Sequence, residues 1–388
     1  MVNVERMLVR AALLAAVSAV VLSIAACSGN DEPVRIGLIA GLSGGGADLG
    51  EAGRNGAMLA VEQINDAGGI HGRPIELLVR DDGNDPAMAS SSARDLVDAG
   101  VAAIVGPFNT TMTEAAMAET EPEQVLLFTP TSSALHLAGK DDYLFRLNTT
   151  TRDNAESYGA FMVERRGYQR IAAVVDQVNA SFTDSWMEWF RRACAERGAE
   201  LVVELPYDSR AEVDFDHLVG TLQLARPDAI MLVTNSIDSA RIAQQIRKAE
   251  PGIPLLPAEW AATQQLIQLG GAAAEGMEVL QVFDRFDTSP RFVSFVEAYR
   301  TRFGSEPSYS SINAFESVQI IAEGLRLRED RESLKESIVA HGPYQGLQQS
   351  FSFDARGDTY RASWFVVVHD GEFHPSAPRS AKPFNGIK

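Results

Sequence analysis

Short apolar runs alternate with amphipathic helical runs over most of this 388-residue chain, and the alternation limits the folds that it can adopt. The first apolar run is 34–40, the next is 75–79, and strand and helix then take turns as far as 277–282. This pattern predicts an α/β fold with parallel sheets and helices on both faces. Three helical runs and two strand-like segments, 348–353 and 362–369, follow it. The length suggests about two domains.

Within 101–137, two consecutive predicted strands each end in a loop rich in hydroxyl groups, and we predict a helix after each loop. Ligands of open α/β sheets bind outside the carboxyl ends of the strands, where helix N–H groups favour an anion. A carboxylate is therefore the expected ligand group. The hydroxyl residues are Thr110 and Thr111 in the first loop and Thr131, Ser132 and Ser133 in the second. Thr111 and Glu114 also fit a capping box, an alternative in which Thr111 serves only its own helix.

The amino-terminal segment predicts export and lipidation. Arg6 and Arg10 precede an apolar run, 11–26, that is short for a membrane span and typical of a signal peptide. Ile24-Ala-Ala-Cys27 resembles the lipobox of bacterial lipoproteins. The resemblance implies a signal peptide at 1–26, lipid on Cys27, a tether at 27–33 and a protein anchored to the membrane without spanning it. An ordinary signal peptide cut after a small residue is the alternative.

Charge and motifs exclude several classes of function. The formal net charge of -18 opposes a nucleic-acid backbone. The loop after the first strand lacks the dinucleotide-binding fingerprint, and the six histidines have no metal-ligand spacing, so we expect no cofactor and no metal. With Cys27 lipidated, Cys194 would be the remaining cysteine, and we predict a buried structural thiol.

One catalytic pattern does occur. Gly41-Leu-Ser43-Gly-Gly45 fits the nucleophile elbow of serine hydrolases, and it lies between a predicted strand and helix. That elbow normally follows several earlier strands of its sheet, whereas this one follows the first. A hydrolase that uses Ser43 therefore stays a distant alternative, and we expect no enzyme.

Several stretches match one known family in order along the chain. The matching stretches are Ile36–Ser43, Gly56–Gly72, Arg80–Pro86, Ala103–Pro107, Phe128–Ala134 and Ala274–Gly276. They resemble the extracytoplasmic leucine/isoleucine/valine-binding proteins of ABC transporters. The resemblance implies a type I periplasmic-binding fold, in which two doubly wound lobes joined by three crossovers close on a ligand. By this pattern 34–147 and 283–346 form the first lobe, and 148–282 and 347–388 form the second.

The resemblance also implies a site for an amino acid. The α-carboxylate would bind the hydroxyls and backbone amides of Thr110 and Ser133, and the Thr131 carbonyl would accept from the ammonium. Glu259 of the second lobe would pair with that ammonium. Trp260 beside it would line or cover the pocket, and Ser43 is a further expected ligand-binding residue. A zwitterion buried between lobes needs both charges matched.

The side-chain pocket departs from the leucine-type pattern. Where those binders carry tyrosines, this chain has Leu49, Phe182 (or Ser181, one gap away) and Asn235. Asn84 and Asn109 replace the family's disulfide, while Phe108 keeps an apolar wall. We therefore expect a lipid-anchored protein that captures an amino acid, of branched-chain type or similar, for an ABC permease. A binder or sensory receptor for short amides, urea-like compounds or aromatic acids is the alternative.

Overall fold

The computed structural model describes residues 32–44 and 46–376, so Cys27 and the predicted signal peptide lie outside the described residues. Five parallel strands form the sheet of the first lobe, in the order β2-β1-β3-β4-β5. The strands are β1 (Val34–Ala40), β2 (Ile75–Asp81), β3 (Ala103–Val105), β4 (Leu126–Thr129) and β5 (Leu144–Arg146). The helices are α1 (Ala47–Asp66), α2 (Pro86–Asp98), α3 (Thr110–Thr120) and, from later in the chain, α9 (Pro290–Phe303), α10 (Tyr309–Leu327) and α11 (Leu334–Ala340).

Four parallel strands form the sheet of the second lobe, in the order β7-β6-β8-β9. They are β6 (Arg170–Asp176), β7 (Glu200–Tyr207), β8 (Ala229–Val233) and β9 (Leu255–Pro257). The helices are α4 (Thr151–Gly159) with a π-helical extension (Ala160–Arg165), α5 (Ala180–Glu196), α6 (Phe215–Ala225), α7 (Ser236–Ala249) and α8 (Gln264–Gly270). An antiparallel sheet of β10 (Glu278–Gln281), β13 (Trp364–His369) and β14 (Glu372–Pro375) completes the lobe, and β11 (Tyr344–Gln345) pairs with β12 (Ser350–Phe351) in a separate hairpin.

The inner strands of the two parallel sheets are buried on both faces, as parallel sheets require. Strands β3, β4 and β8 are buried along their whole length. The chain passes between the lobes three times, after β5, after β10 and before β13. The predicted two-lobed, doubly wound fold is therefore confirmed. No helix among residues 32–44 and 46–376 has the length and apolar character needed to cross a bilayer.

Helix α1 begins at Ala47, well before Gly56, from which apolar residues at helical spacing predict a helix as far as Asp66. Three glycines lower the helix propensity of its first half, which is why the sequence pattern missed it. Packing requires them: a Cβ at Gly50 would lie 2.1 Å from the Gly41 carbonyl oxygen, one at Gly53 2.1 Å from the Phe108 ring, and one at Gly56 2.0 Å from the Ser311 carbonyl oxygen.

The prediction that the second lobe resumes at Leu347 is wrong. Leu347 and Phe353 belong to the core of the first lobe, and the Phe353 ring lies 5.0 Å from that of Phe145. Asp358 accepts from the buried guanidinium of Arg146, with Nε at 2.8 Å. The aromatic residues after Leu347 thus fill the first lobe, and the chain joins the second lobe's sheet at β13.

Candidate ligand-binding site

The two lobes meet at the carboxyl ends of their parallel strands, where two adjoining chambers open between them. We call the first the Glu259 chamber; it encloses about 280 Å³ of space free of protein atoms, its mouth included. The second, the Asp82 chamber, encloses about 440 Å³ measured in the same way. Phe108, Asn109 and Trp260 line both chambers.

Most of the predicted site residues come together here. The Glu259 chamber is lined by Phe108, Asn109, Thr110, Thr131, Ser133, Asn148, Asn179, Phe182, Glu259, Trp260 and Tyr309. The Asp82 chamber is lined by Gly41, Gly46, Leu49, Gly50, Asp82, Asn84, Phe108, Asn109, Asp176, Val178, Ser209, Asn235 and Trp260. Ser43 is in neither set: it hydrogen bonds the Asp81 carboxylate at the edge of the cleft.

In the loop after β3, Asn109 caps the helix that follows. Its Oδ1 accepts from the Met112 amide at 3.3 Å, so Asn109 is the N-cap of α3 and the predicted Thr111–Glu114 capping box is wrong. Thr111 instead donates its amide and hydroxyl to Asn179 Oδ1 of the second lobe, both at 3.3 Å. Glu114 likewise accepts from the Ser181 hydroxyl across the cleft.

The loop after β4 is tied to the loop after β3 by its hydroxyls. Thr131 Oγ1 donates to the Phe108 carbonyl at 2.6 Å, and Ser132 Oγ lies 2.8 Å from Thr113 Oγ1. The helix predicted after this loop is absent, and a single 3₁₀ turn, Leu135–Leu137, stands in its place. The reason is that the loop packs on α4, where the Thr151 amide donates to the Ser133 carbonyl at 2.7 Å.

The five loop hydroxyls therefore divide into two groups. Those of Thr111, Thr131 and Ser132 bond to other protein groups. Those of Thr110 and Ser133 have no hydrogen-bond partner within the described part of the chain, and both residues line the Glu259 chamber. Thr110 is also the first residue of α3, so its amide has no acceptor within the helix. These two residues are the ones free to bind a ligand's carboxylate.

Glu259 lies in a 3₁₀ turn just after β9 and is 5% exposed. Its Oε1 accepts from Asn154 Nδ2 at 2.8 Å, and its Oε2 accepts from Trp186 Nε1 at 3.2 Å. Burial raises the pKa of Glu259 to about 7, against the opposing effect of these hydrogen bonds. No lysine or arginine among the residues described forms a salt bridge with it. The chamber thus holds a buried carboxylate that has no counter-charge from the described part of the chain.

Aromatic side chains form the walls beside Glu259. The Phe182 and Trp260 rings meet edge to face at 5.8 Å between centroids. Phe182, not Ser181, faces the chamber, because the Ser181 hydroxyl bonds Glu114 instead. Tyr309, the first residue of α10, is a further lining residue; burial and the negative charge of Glu259 raise the pKa of its hydroxyl.

Sequence patterns missed the residues that position Glu259 and the loops. Asn154 and Trp186 hold the carboxylate, and Asn148 Nδ2 donates to the Thr131 carbonyl at 2.8 Å. One signal was available, because 148–154 is a second polar cluster directly after a strand. No sequence signal marked Trp186, since this residue occupies an ordinary core position of α5.

Further hydrogen bonds hold the lobes closed. Asp48 in the first turn of α1 accepts from Ser236 Oγ at 2.7 Å and from Thr263 Oγ1 at 2.8 Å, both in the second lobe. Asn235 lies beside this contact and caps α7, accepting from the Asp238 amide at 2.9 Å.

A cluster with metal-ligand chemistry lies outside the chambers. Glu275, His369 and Asp370 are exposed on the second lobe, with one potential ligand atom from each within 4.8 Å of the others. Glu275 already accepts from His369 Nδ1 and from the Asp370 amide. The cluster therefore satisfies its own hydrogen bonds, and we assign it no ligand.

Comparison with known proteins agrees with this architecture. The family model described as periplasmic binding protein matches residues 33–372. The leucine-, isoleucine-, valine-, threonine- and alanine-binding protein of Pseudomonas aeruginosa is 25% identical over 90% of this chain and 92% of its own length.

Two solved structures share the fold. The branched-chain amino acid transporter substrate-binding protein of Streptococcus pneumoniae, in complex with isoleucine, matches with a TM-score of 0.82 and 24% identity, over 88% of this chain and 98% of its own. A solute-binding protein of an ABC transporter from R. palustris, in complex with benzoate, matches with a TM-score of 0.80 and 17% identity, over 92% and 99%. The resemblance found in the sequence is confirmed: the chain belongs to the periplasmic binding protein family, as a substrate-binding protein of the branched-chain amino acid ABC transporter type.

Proposed function

We propose that this protein captures an α-amino acid between its lobes and delivers it to an ABC permease. The observation that carries the proposal is the content of the Glu259 chamber. The free hydroxyls of Thr110 and Ser133 share one enclosed space with the buried carboxylate of Glu259. An α-amino acid carries one negative and one positive group on the same carbon, and these two ends of the chamber suit them.

The two ends favour opposite charges for physical reasons. At the Thr110 end, the amino terminus of α3 offers unpaired N–H groups and the positive end of the helix dipole to a carboxylate. At the other end, Glu259 is desolvated, so a ligand ammonium would supply the counter-charge that the protein does not. The relatives named above as binding leucine, isoleucine and valine support the same class of ligand.

Delivery to a permease rests on closure of the lobes. The contacts of Asp48 and Thr111 cross the cleft, so they exist in the closed form. A ligand that binds both lobes favours that form, and a permease that contacts both lobes then distinguishes loaded from empty protein.

We place the protein outside the cytoplasm, anchored by lipid on Cys27. The family supports an extracytoplasmic location, and the lipobox-like sequence supports the anchor. A Cys27→Ser variant should leave the membrane fraction and appear in the soluble extracytoplasmic fraction. Unchanged membrane association of that variant would exclude the lipid anchor.

A second candidate is a carboxylic acid without an ammonium. The specific observation is that both oxygens of Glu259 already accept hydrogen bonds and that burial raises its pKa to about 7. A protonated Glu259 needs no cation. The benzoate complex of the similar R. palustris protein fits this alternative.

A thermal-unfolding screen of the purified protein separates the two candidates. The ligands are the α-amino acids, benzoate and simple aliphatic amides, each with wild type and Glu259→Gln. A ligand at 100 times its dissociation constant adds about 2.7 kcal/mol to the free energy of unfolding. We expect a higher Tm with an α-amino acid in wild type and little in the variant. A shift with benzoate alone, retained in Glu259→Gln, would favour the second candidate.

A further inference from the structure

We propose that the cargo is an α-amino acid whose side chain ends in a cationic group, such as lysine, ornithine or arginine, and that Asp82 and Asp176 bind this group. The inference rests on the proposed function, because it takes the α-carboxylate and α-ammonium to occupy the Glu259 chamber. It differs from the amino acids named for the relatives above, which are leucine, isoleucine, valine, threonine and alanine and whose side chains carry no charge.

The first observation that supports the inference is the buried carboxylate of Asp82. This residue follows the carboxyl end of β2, is 1% exposed and lines the Asp82 chamber. Its Oδ1 accepts from the Asn84 amide at 2.9 Å, while its Oδ2 has no hydrogen-bond partner within residues 32–44 and 46–376. Burial raises the pKa of Asp82 to about 6, with the nearby charge of Asp81 adding to the effect. One oxygen of a deeply buried carboxylate therefore has no donor among the residues that the structure describes.

The second observation is the buried carboxylate of Asp176, which belongs to the other lobe. This residue ends β6, is fully buried and lines the same chamber. The amides of Val178 and Ser209 donate to its Oδ1 at 3.1 and 3.2 Å, and Ser209 Oγ donates to its Oδ2 at 2.8 Å. These partners are neutral. Two carboxylates from opposite lobes thus border one chamber with hydrogen bonds but without a cation among its described lining residues.

No described lysine, arginine or histidine forms a salt bridge with either carboxylate, although the pKa of Arg210 is raised by its hydrogen bond to Asp208 and, to a smaller extent, by the charge of Asp176. No lysine, arginine or histidine is among the described residues that line the chamber. The guanidinium of Arg210 pairs with Asp208 at 2.7 Å on the exposed surface. The nearby amino termini of α1 and α7 would favour negative charge, but Asp48 and Asp238 already occupy their first turns. A ligand cation is the group that would satisfy this cavity, since unpaired buried charge is costly.

The walls of the chamber suit the stem of such a side chain. Leu49, Phe108, Val178 and Trp260 supply apolar surface in the same chamber as the two acidic residues. A chain of methylene groups can pack on these side chains while its charged end reaches the carboxylates. The Trp260 ring adds a face that attracts cations. A leucine side chain would fill the apolar part and leave the Asp82 oxygen without a donor.

Calorimetric titration of the purified protein with lysine, arginine and norleucine tests the inference. Norleucine keeps lysine's four-carbon stem and lacks its side-chain ammonium, so it isolates the proposed contact. We expect lysine or arginine to bind roughly tenfold or more tightly than norleucine. Asp82→Asn keeps the acceptor for the Asn84 amide, and it should weaken binding of the basic amino acid roughly tenfold while leaving norleucine unchanged or tighter.

Matched controls keep the outcomes distinct. Asp95→Asn removes one exposed carboxylate of α2, and it should alter neither affinity. If Asp82→Asn fails to fold, Asp176→Asn tests the same charge from the other lobe. Norleucine or leucine binding as tightly as the basic amino acids, whatever the residue at 82, would overturn the inference and leave the proposed function standing. So would Ca²⁺ binding to Asp82 and Asp176 without any amino acid. Failure of every α-amino acid to bind would overturn both.

Discussion

The two chambers of the cleft differ in the polar groups that line them. In the Glu259 chamber the ligand-facing groups of the loops are neutral hydroxyls, and the single carboxylate is held by Asn154 and Trp186. In the Asp82 chamber the polar wall includes two carboxylates, one from each lobe, beside neutral amides and a hydroxyl. The first arrangement suits the groups that all α-amino acids share, and the second suits the part that differs among them. Under the two proposals, the class of the ligand and its identity are therefore set by separate residues.

The largest expected effect comes from Glu259→Gln and bears on stability. Because burial raises the Glu259 pKa from 4.5 to about 7, the folded protein favours the neutral carboxyl. The resulting stabilisation is fully present below pH 4.5, falls between pH 4.5 and 7, and is lost above pH 7. The total loss in the free energy of unfolding is about 3 kcal/mol. The variant cannot titrate, so its free energy of unfolding should rise relative to wild type by that amount between pH 4.5 and 8.

Urea unfolding of the ligand-free protein at the two pH values measures this difference. Glu123→Gln, at an exposed position, is the matched control for loss of a carboxylate and should track wild type. Parallel pH profiles of wild type and Glu259→Gln would show that the Glu259 chamber does not hold a strained carboxylate, and the contrast with the hydroxyl end would fail.

The next effect concerns the free hydroxyls. Thr110→Val or Ser133→Ala should each weaken α-amino-acid binding by about 1.5 kcal/mol or more, roughly tenfold, because a hydrogen bond to the ligand carboxylate is lost. Unfolding of the ligand-free protein should change by no more than about 0.5 kcal/mol. Titration calorimetry and urea unfolding give the two numbers.

Thr131→Val is the control for these hydroxyls. Its hydroxyl donates to the Phe108 carbonyl, so its loss should lower the free energy of unfolding by about 1 kcal/mol or more. If Thr110→Val and Ser133→Ala destabilise the protein as Thr131→Val does and leave affinity unchanged, the two hydroxyls are structural.

A smaller effect on ligand affinity should follow from Asp48→Ala. This substitution should affect ligands of both chambers equally. It removes two hydrogen bonds between the lobes, those from Ser236 and Thr263. Closure should become less favourable by about 1 kcal/mol, which weakens every ligand roughly fivefold without changing selectivity. Glu51→Ala, an exposed site on the same helix, should not do so. A change of selectivity instead would show that Asp48 acts inside the Asp82 chamber.

The smallest effect is expected at the cap of α7. Asn235→Ala removes the acceptor for the Asp238 amide and should cost about 1 kcal/mol of stability or less, whereas Asn235→Ser should restore most of it. Thermal unfolding of both variants measures the difference. Equal losses in the two would mean that the Asn235 amide, through its contact with Asp238 Oδ2 at 3.0 Å, matters more than the cap.

The sequence predicted the alternation of elements well, because each apolar run is bounded by loops and each helix has one apolar face. It failed at α1 and at the aromatic residues after Leu347, where distant packing decides the structure: Phe353 reaches the first lobe's core through contacts with residues more than 200 positions away. Glycine at 53 reads as a helix breaker, yet it is the residue that leaves room for the Phe108 ring.

The candidate site was predictable only in its loops and in Glu259. Thr110 and Ser133 were marked by position after strands, but nothing local separates them from Thr131, whose hydroxyl turns out to bond Phe108. Asp82 and Asp176 lie more than 90 residues apart in the chain, and the folding of two sheets brings them to one chamber. Which polar side chain keeps a free atom is a property of the packed structure.

Proton release on binding tests the central claim most directly. Titration of wild type with the best-bound α-amino acid at pH 7, in buffers of different ionisation enthalpy, counts protons exchanged. Since Glu259 has a pKa of about 7, an incoming ammonium should expel about half a proton from it, and Glu259→Gln should lack that release. Equal proton counts in wild type and Glu259→Gln, or proton uptake by wild type, would contradict the pairing of Glu259 with a ligand ammonium.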